Sequence, residues 1–265
     1  GAGDGVRLLD VHRDADHNRS VFTLAGGPAT LAPALLSAAR AALEHVSIPD
    51  HAGVHPRVGV LDVAPIVHLH DADRGAACAE ALVLGEELGR DLGLPVLLYG
   101  ALASGRTRAD LRRGGPEALG ARLASGELRA DFGPSRLHPR GGAVLVGARP
   151  PLVAFNLELA PPARLEEAQQ IAARVREGGA EGLPGVRAIG LELSSRRVAQ
   201  VSFNVEDPTR VPLATLVEAV GRHAEIAAAE LVGLAPEAAL AGFPLDLPMP
   251  GFDPERHIIE RALSH

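Results

Sequence analysis

LLDVHRDADHNRSVFTLAGGPATLAPALLSAA, residues 8–39, carries the reading of the fold. Val6–Val11 and Arg19–Leu24 have the apolar and β-branched content of strands. The Asp and Asn residues of the HRDADHN stretch between them tolerate turn geometry, so a hairpin is expected. Beyond it, Leu31, Leu35, Leu36, Ala39 and Leu43 recur at three- and four-residue spacing, and Pro28 suits a first helical turn, which predicts a helix over 28–45. A second stretch, IGLELSSRRVAQVSFNVEDPTRVPLATLVEAV at 189–220, has the same plan: strands over 187–193 and 198–205, a Ser194-Ser195-Arg196 turn, then a helix over 212–224. Two hairpin-then-helix stretches of similar length predict an α/β chain (an α+β sandwich) of two related subdomains. Each is expected to be a mixed β-sheet with helices on one face, with a ligand cleft between them.

Between these stretches lie a β-rich segment, Arg57–Leu69, an amphipathic helix over 74–92 closed by Gly93, and a short strand, Val96–Tyr99. That β-α-β order requires part of the sheet to be parallel or mixed. Residues 101–142 are dense in Gly, Arg, Ser and Pro, apolar periodicity fades, and a long functional or mobile loop is expected. Strands resume at Ala143–Gly147 and Leu152–Leu159 on either side of Pro150-Pro151. A boundary is therefore placed near Arg149, giving subdomains 1–149 and 150–265.

An apolar fraction of 46% in 265 residues is ample for two cores. A net charge of −7 with 3% aromatics argues against a nucleic-acid surface of basic patches and stacking rings. The single cysteine, Cys78, cannot form an internal disulfide, and neither a long uninterrupted apolar run nor a basic leader is visible, so a cytoplasmic setting is expected. All 26 basic residues are arginine, which excludes a Schiff base on a lysine. Arginine alone is consistent with anion recognition and with GC-rich coding.

Ionisable groups concentrate in HAGVHPRVGVLDVAP, residues 51–65. His55 precedes Pro56, which holds it extended, and an imidazole with an ordinary pKa of about 6.5 suits proton transfer near neutrality. A solvated loop histidine is the plainer alternative. His51 and His55 are four apart, but Gly53 and Pro56 oppose a helix, so no metal site is expected. His68 and His70 share a strand face, and His12 and His17 flank the first hairpin turn. DFGPSRLHPRGG at 131–142 sets three glycines beside two arginines and a histidine, a composition suited to close backbone approach to an anionic or planar ligand, and equally to a linker. It lacks the strand-to-helix context of a dinucleotide fingerprint.

Together with LLDV (8–11), Asn18-Arg19, HPRVGVLDVAP (55–65), LLYG (97–100), DFGPS (131–135), AFNLEL (154–159), AQVSFN (199–204), ELVGLAP (230–236) and Ile258-Ile259-Glu260, these stretches resemble the formiminotransferase family over nearly the whole chain. The resemblance implies a homodimer that transfers a formimino group from N-formimino-L-glutamate to tetrahydrofolate, giving 5-formiminotetrahydrofolate and L-glutamate without a metal. It implies His55 as the catalytic histidine and Gly133-Pro134-Ser135-Arg136-Leu137-His138-Pro139-Arg140-Gly141-Gly142 as the folate-binding segment. His12 stands where some relatives carry an Asp, which makes it a second candidate acid/base. Folate N5 must lose a proton and the leaving glutamate nitrogen must gain one, work that histidine suits. Both substrates carry carboxylates, for which Arg19 and Arg57 are candidates, with Arg136 and Arg140. The alternatives on the same scaffold are an enzyme using a formyl-glutamate donor or 5-formyltetrahydrofolate, and a non-catalytic folate-binding protein. The family's opening strand, Pro-Asn-Phe-Ser-Glu-Gly turn and first helix are expected to be absent, as is a following cyclodeaminase.

Overall fold

The opening hairpin forms as β1 (Val6–Asp14) and β2 (Arg19–Gly26), with Asn18 at φ 47° in the turn, and leads to α1 (Leu31–His45). The computed structural model describes residues 5–53 and 56–264. The chain divides into two compact units: the part up to Arg7 with Ala25–Pro150, and Leu8–Leu24 with the part from Pro151 onward. The main division thus falls at Pro150, and most of the hairpin groups with the second unit while α1 groups with the first.

The first unit is built on a three-stranded sheet of β3 (Val63–Val67), β4 (Val96–Leu98) and β5 (Val144–Arg149), in the order β3-β5-β4. Both pairings are parallel, with Val63 opposite Leu145 and Val96 opposite Val144. Parallel neighbours need crossovers. These are α2 (Arg74–Leu92), which ends at Gly93 in the left-handed region (φ 64°), and the pair α3 (Arg108–Arg112) and α4 (Gly115–Ser125). On one sheet face Ile66, Leu98, Val144 and Val146 pack with Ala39 of α1 and Leu84 and Leu88 of α2. On the other, Leu97 and Leu145 pack with Leu111, Leu119 and Leu123.

The second unit carries a four-stranded sheet, order β7-β8-β6-β9, from β6 (Val153–Leu159), β7 (Val186–Leu193), β8 (Val198–Val205) and β9 (Ile226–Val232), every pairing antiparallel. Alternate residues Phe155, Leu157, Val201 and Phe203 face α5 (Leu165–Val175) and α6 (Leu213–Gly221), which supply Ile171, Val175, Leu216 and Val220. Burying each large side chain of this kind stabilises the fold by roughly 1.5–3 kcal/mol, so this one face is the main source of the unit's stability. The closing segment forms two short turns of helix, α7 (Pro254–His257) and α8 (Ile259–Ser264).

The α/β class holds, with refinements. Mixed sheets with helices on one face were expected; the first sheet is all parallel with helices on both faces, the second all antiparallel with helices on one. The extra cover comes from 101–142, which is not an open loop. Thr107 and Asp110 form a capping box that starts α3, with Asp110 N donating to Thr107 Oγ1 at 3.1 Å. Gly114 and Gly115 then interrupt the helical pattern, which hides it from periodicity. Within 57–69 only Val63–Val67 pairs as a strand. Residues 58–62 turn instead, with Asp62 at φ 37° and its Oδ1 accepting from Val58 N at 2.7 Å. Among the described residues no helix is long and apolar enough to cross a membrane.

Candidate functional site

Because β6, β8 and β9 each bury alternate residues against the helices, the intervening positions point to the opposite face, where apolar packing does not decide them. Those positions hold Asn156 and Glu158 on β6, Gln200 and Ser202 on β8, and Glu230 on β9. Antiparallel register sets Asn156 directly opposite Glu230, and Asn156 Nδ2 donates to Glu230 Oε2 at 2.7 Å. The other oxygen, Oε1, lies 3.4 Å from Nε2 of His12 on β1, with side-chain exposures of 22% for Glu230 and 18% for His12. Asn156 is 1% exposed, so the carboxylate is held from below by a fixed amide and approached from the side by an imidazole. Burial works to raise the Glu230 carboxyl, but the His12 imidazole beside it and the hydrogen bond from Asn156 outweigh it and hold the group below its ordinary value.

The same unit buries further polar groups. His17, 2% exposed, places Nδ1 3.1 Å from Asp14 Oδ1, and the His17 N–H donates to that oxygen at 2.6 Å. Burial lowers the His17 pKa against the pull of Asp14. Asp16 accepts from the Ser195 N–H at 2.8 Å and from its hydroxyl at 2.6 Å, tying the hairpin turn to the turn between β7 and β8. Gln200 is fully buried, and neither its amide nitrogen nor its amide oxygen has a hydrogen-bond partner among the described residues. Such a pair of unmet groups is costly in a dry interior, and a polar ligand or water would complete it.

In the first unit the glycine-rich segment is docked onto its own protein. Gly142, at φ 68°, passes so close to Val58 that an added Cβ would collide with the Val58 carbonyl oxygen. Ala143 N donates to Val58 O at 2.9 Å and Val60 N to Gly141 O at 2.9 Å, which joins the 131–142 segment to the 57–62 segment. His138 closes the turn: its backbone pairs with Gly142 both ways, at 3.0 and 2.9 Å, and Nδ1 accepts from Gly141 N at 2.8 Å. A ring nitrogen that accepts carries no proton, so His138 bears its proton on Nε2. Asp131 holds Leu98 N at 2.7 Å and an ion pair with Arg106, while Asp62 pairs with Arg112. Arg57 donates to the carbonyls of Gly53 at 3.1 Å and His51 at 2.5 Å.

A family model of the N-terminal subdomain of the formiminotransferase domain matches residues 2–149, and one of the formiminotransferase domain matches residues 154–243. The chain belongs to the formiminotransferase family. It is 34% identical to the glutamate formimidoyltransferase of Streptococcus pyogenes serotype M1 over 98% of this chain and 89% of that protein. It is 33% identical to the glutamate formimidoyltransferase of Thermoplasma acidophilum over 98% of this chain and 88% of that one. With the formimidoyltransferase-cyclodeaminase of Gallus gallus it shares 39% identity over 89% of this chain and 46% of the relative, so it spans about half the length of that longer kind.

Among the family residues singled out from sequence, His55 lies outside the described residues. His12 and Arg19 belong to the second unit, Arg57 and the 133–142 segment to the first. Of the segment's side chains, Arg136 and Arg140 are exposed, and Leu137 packs into the core beside Leu111, Leu119 and Leu123. Its glycines serve close backbone packing, as Gly142 shows. Glu230, Asn156 and Gln200 escaped the reading of single residues, although each sits in a formiminotransferase stretch quoted for the resemblance. For Asn156 and Gln200 the findable signal was period two, since Asn156 and Glu158 on β6 and Gln200, Ser202 and Asn204 on β8 alternate with apolar residues; Glu230 is the single polar residue of β9 and gave no such signal. Among the described residues there is no group of three His, Cys, Asp or Glu side chains arranged to hold a metal ion.

Proposed function

We propose that this chain transfers the formimino group of N-formimino-L-glutamate to N5 of tetrahydrofolate, giving 5-formiminotetrahydrofolate and L-glutamate. The observation that carries this reading is the similarity to proteins named glutamate formimidoyltransferase, which runs through both subdomains and over 98% of the chain. In the reaction a bond forms between N5 and the formimino carbon, and the carbon–nitrogen bond to glutamate breaks. The proton lost by N5 balances the one gained by the glutamate nitrogen. His55 and His12 are the groups proposed to carry it, since an imidazole both accepts and donates protons near neutral pH. Arg19, Arg57, Arg136 and Arg140 are the proposed cationic partners of the substrate carboxylates, and the 133–142 segment the proposed folate contact. A homodimer and a cytoplasmic setting belong to the same reading. No feature of the described residues favours a formyl donor or a purely folate-binding role.

The test is turnover of N-formiminoglutamate with tetrahydrofolate, followed as 5-formiminotetrahydrofolate, by this chain and by His55→Ala. Transfer by the parent chain, reduced on the order of a hundredfold or more in the variant while folate still binds, is the expected outcome. Folate binding without transfer would leave the formyl-donor enzyme and the non-catalytic role standing, and no folate binding would sink the reading altogether.

A further inference from the structure

His12 faces Glu230 through Nε2 at 3.4 Å, and Glu230 in turn takes a 2.7 Å hydrogen bond from the buried Asn156. The arrangement has a direction. Asn156 is fixed by burial and by its place in the sheet, and it occupies Oε2, so only Oε1 is left for the imidazole. A carboxylate only accepts, so a neutral imidazole beside it is favoured with its proton on Nε2 and its lone pair on Nδ1, at the far side of the ring. The carboxylate 3.4 Å away also stabilises the charged imidazolium once Nδ1 has taken a proton. A base with a third group orienting it is the general design of an activated proton carrier. The other charges acting on the pair are His17, which acts on Glu230 and is itself influenced by Asp14 and Arg19.

We propose that Glu230, steadied by Asn156, is a positioning residue that makes Nδ1 of His12 the proton-exchanging nitrogen. This rests on the reading of His12 as a proton carrier in formimino transfer. The proton accepted by Nδ1 is the one released to the departing glutamate nitrogen, so the histidine returns to its starting form each cycle and nothing else is consumed. The partner of the imidazole is a carboxylate fixed by its own hydrogen bond from the buried Asn156, which distinguishes this arrangement from a surface ion pair.

Two measurements test it. In the parent chain without substrate, the His12 Nε2 proton is expected as a slowly exchanging, downfield resonance in 15N-resolved NMR, and Glu230→Gln is expected to abolish it. In steady-state transfer, Glu230→Gln is expected to lower kcat on the order of tenfold to a hundredfold with KM little changed, and Glu230→Asp, which keeps the carboxylate, to recover part of the loss. The absence of that resonance from the parent chain, or a Glu230→Gln variant with unchanged kcat, would overturn the proposal. If the parent chain transfers no formimino group, the reading of function fails, and the resonance still decides whether the pairing exists.

Discussion

Glu80 projects from α2 with only 7% of its surface exposed, and its two carboxylate oxygens accept from Ala29 N at 2.6 Å and Ala32 N at 2.7 Å. Those N–H groups lie at the start of α1, whose own N-cap residue, Thr30, makes no capping bond with its side chain. A residue distant in sequence thus does what a Ser or Asp at the helix start would do, with the favourable sign of charge for a helix N-terminus. Glu80→Ala leaves the buried Ala32 donor and the part-buried Ala29 donor unmet and is expected to lower stability by about 1–3 kcal/mol, measured by urea unfolding; a change under about 0.5 kcal/mol would mean that water replaces the carboxylate. Glu80 and Glu230 were equally invisible as individual residues, for one reason. A carboxylate's role depends on which donors stand opposite it, and those donors come from other elements.

At the scale of elements, α2 shows why two of its glycines are tolerated inside a helix. A Cβ on Gly85 would meet the Phe132 ring at 2.9 Å, and one on Gly89 would meet Gly133 N at 2.6 Å. The helix therefore presents a groove in which the start of the 131–142 segment lies. Gly→Ala on an open helix gains about 1 kcal/mol. At Gly89 the neighbour is backbone and cannot turn aside, so overpacking of about 1–3 kcal/mol wins. Gly89→Ala is expected to destabilise the first unit and to speed amide exchange at Gly142 and His138, read by hydrogen exchange. Unchanged protection there would show that the docking of this segment does not depend on α2. The helix over 74–92 was legible as a helix from its periodicity, whereas its groove was not, because the apolar pattern gives no account of what a gap is for.

For the molecule as a whole, acid sensitivity is expected to begin in the second unit, where the shifts of a buried histidine and a half-buried carboxylate agree in sign. Burial of His17 lowers its pKa, so the unfolded chain binds the proton more readily, and stability declines as pH falls below about 6.5 toward the folded value. Glu230 is also held below its ordinary value, with burial opposing but outweighed by His12 and Asn156, so a further decline follows below about 4.3 as the unfolded carboxyl takes its proton. Mild acid is expected to expose amides of β6, β8 and β9 before those of β3 and β5, read by pH-dependent hydrogen exchange. His17→Gln should remove the part of the loss that begins near 6.5, and an identical pH response in that variant would show that His17 is not its source. Opening of the first unit at the higher pH would contradict the assignment.

The opening hairpin, α1, α2, α6, strands β4 to β8, the α/β class and the family were legible in the chain alone, since periodicity, turn chemistry and motif order are properties of neighbouring residues. The 8–39 and 189–220 stretches read alike for that reason, yet they end differently. Leu8–Leu24 groups with the second unit and α1 with the first, while β7, β8 and α6 stay within one unit. Only the tertiary structure decided that parting, the second helical layer over β3, β4 and β5, the use of Gly142 for backbone packing, and the meeting of His12 with Glu230. Each depends on which face is laid against which. A period of two or of 3.6 states that a face exists and leaves open what covers it.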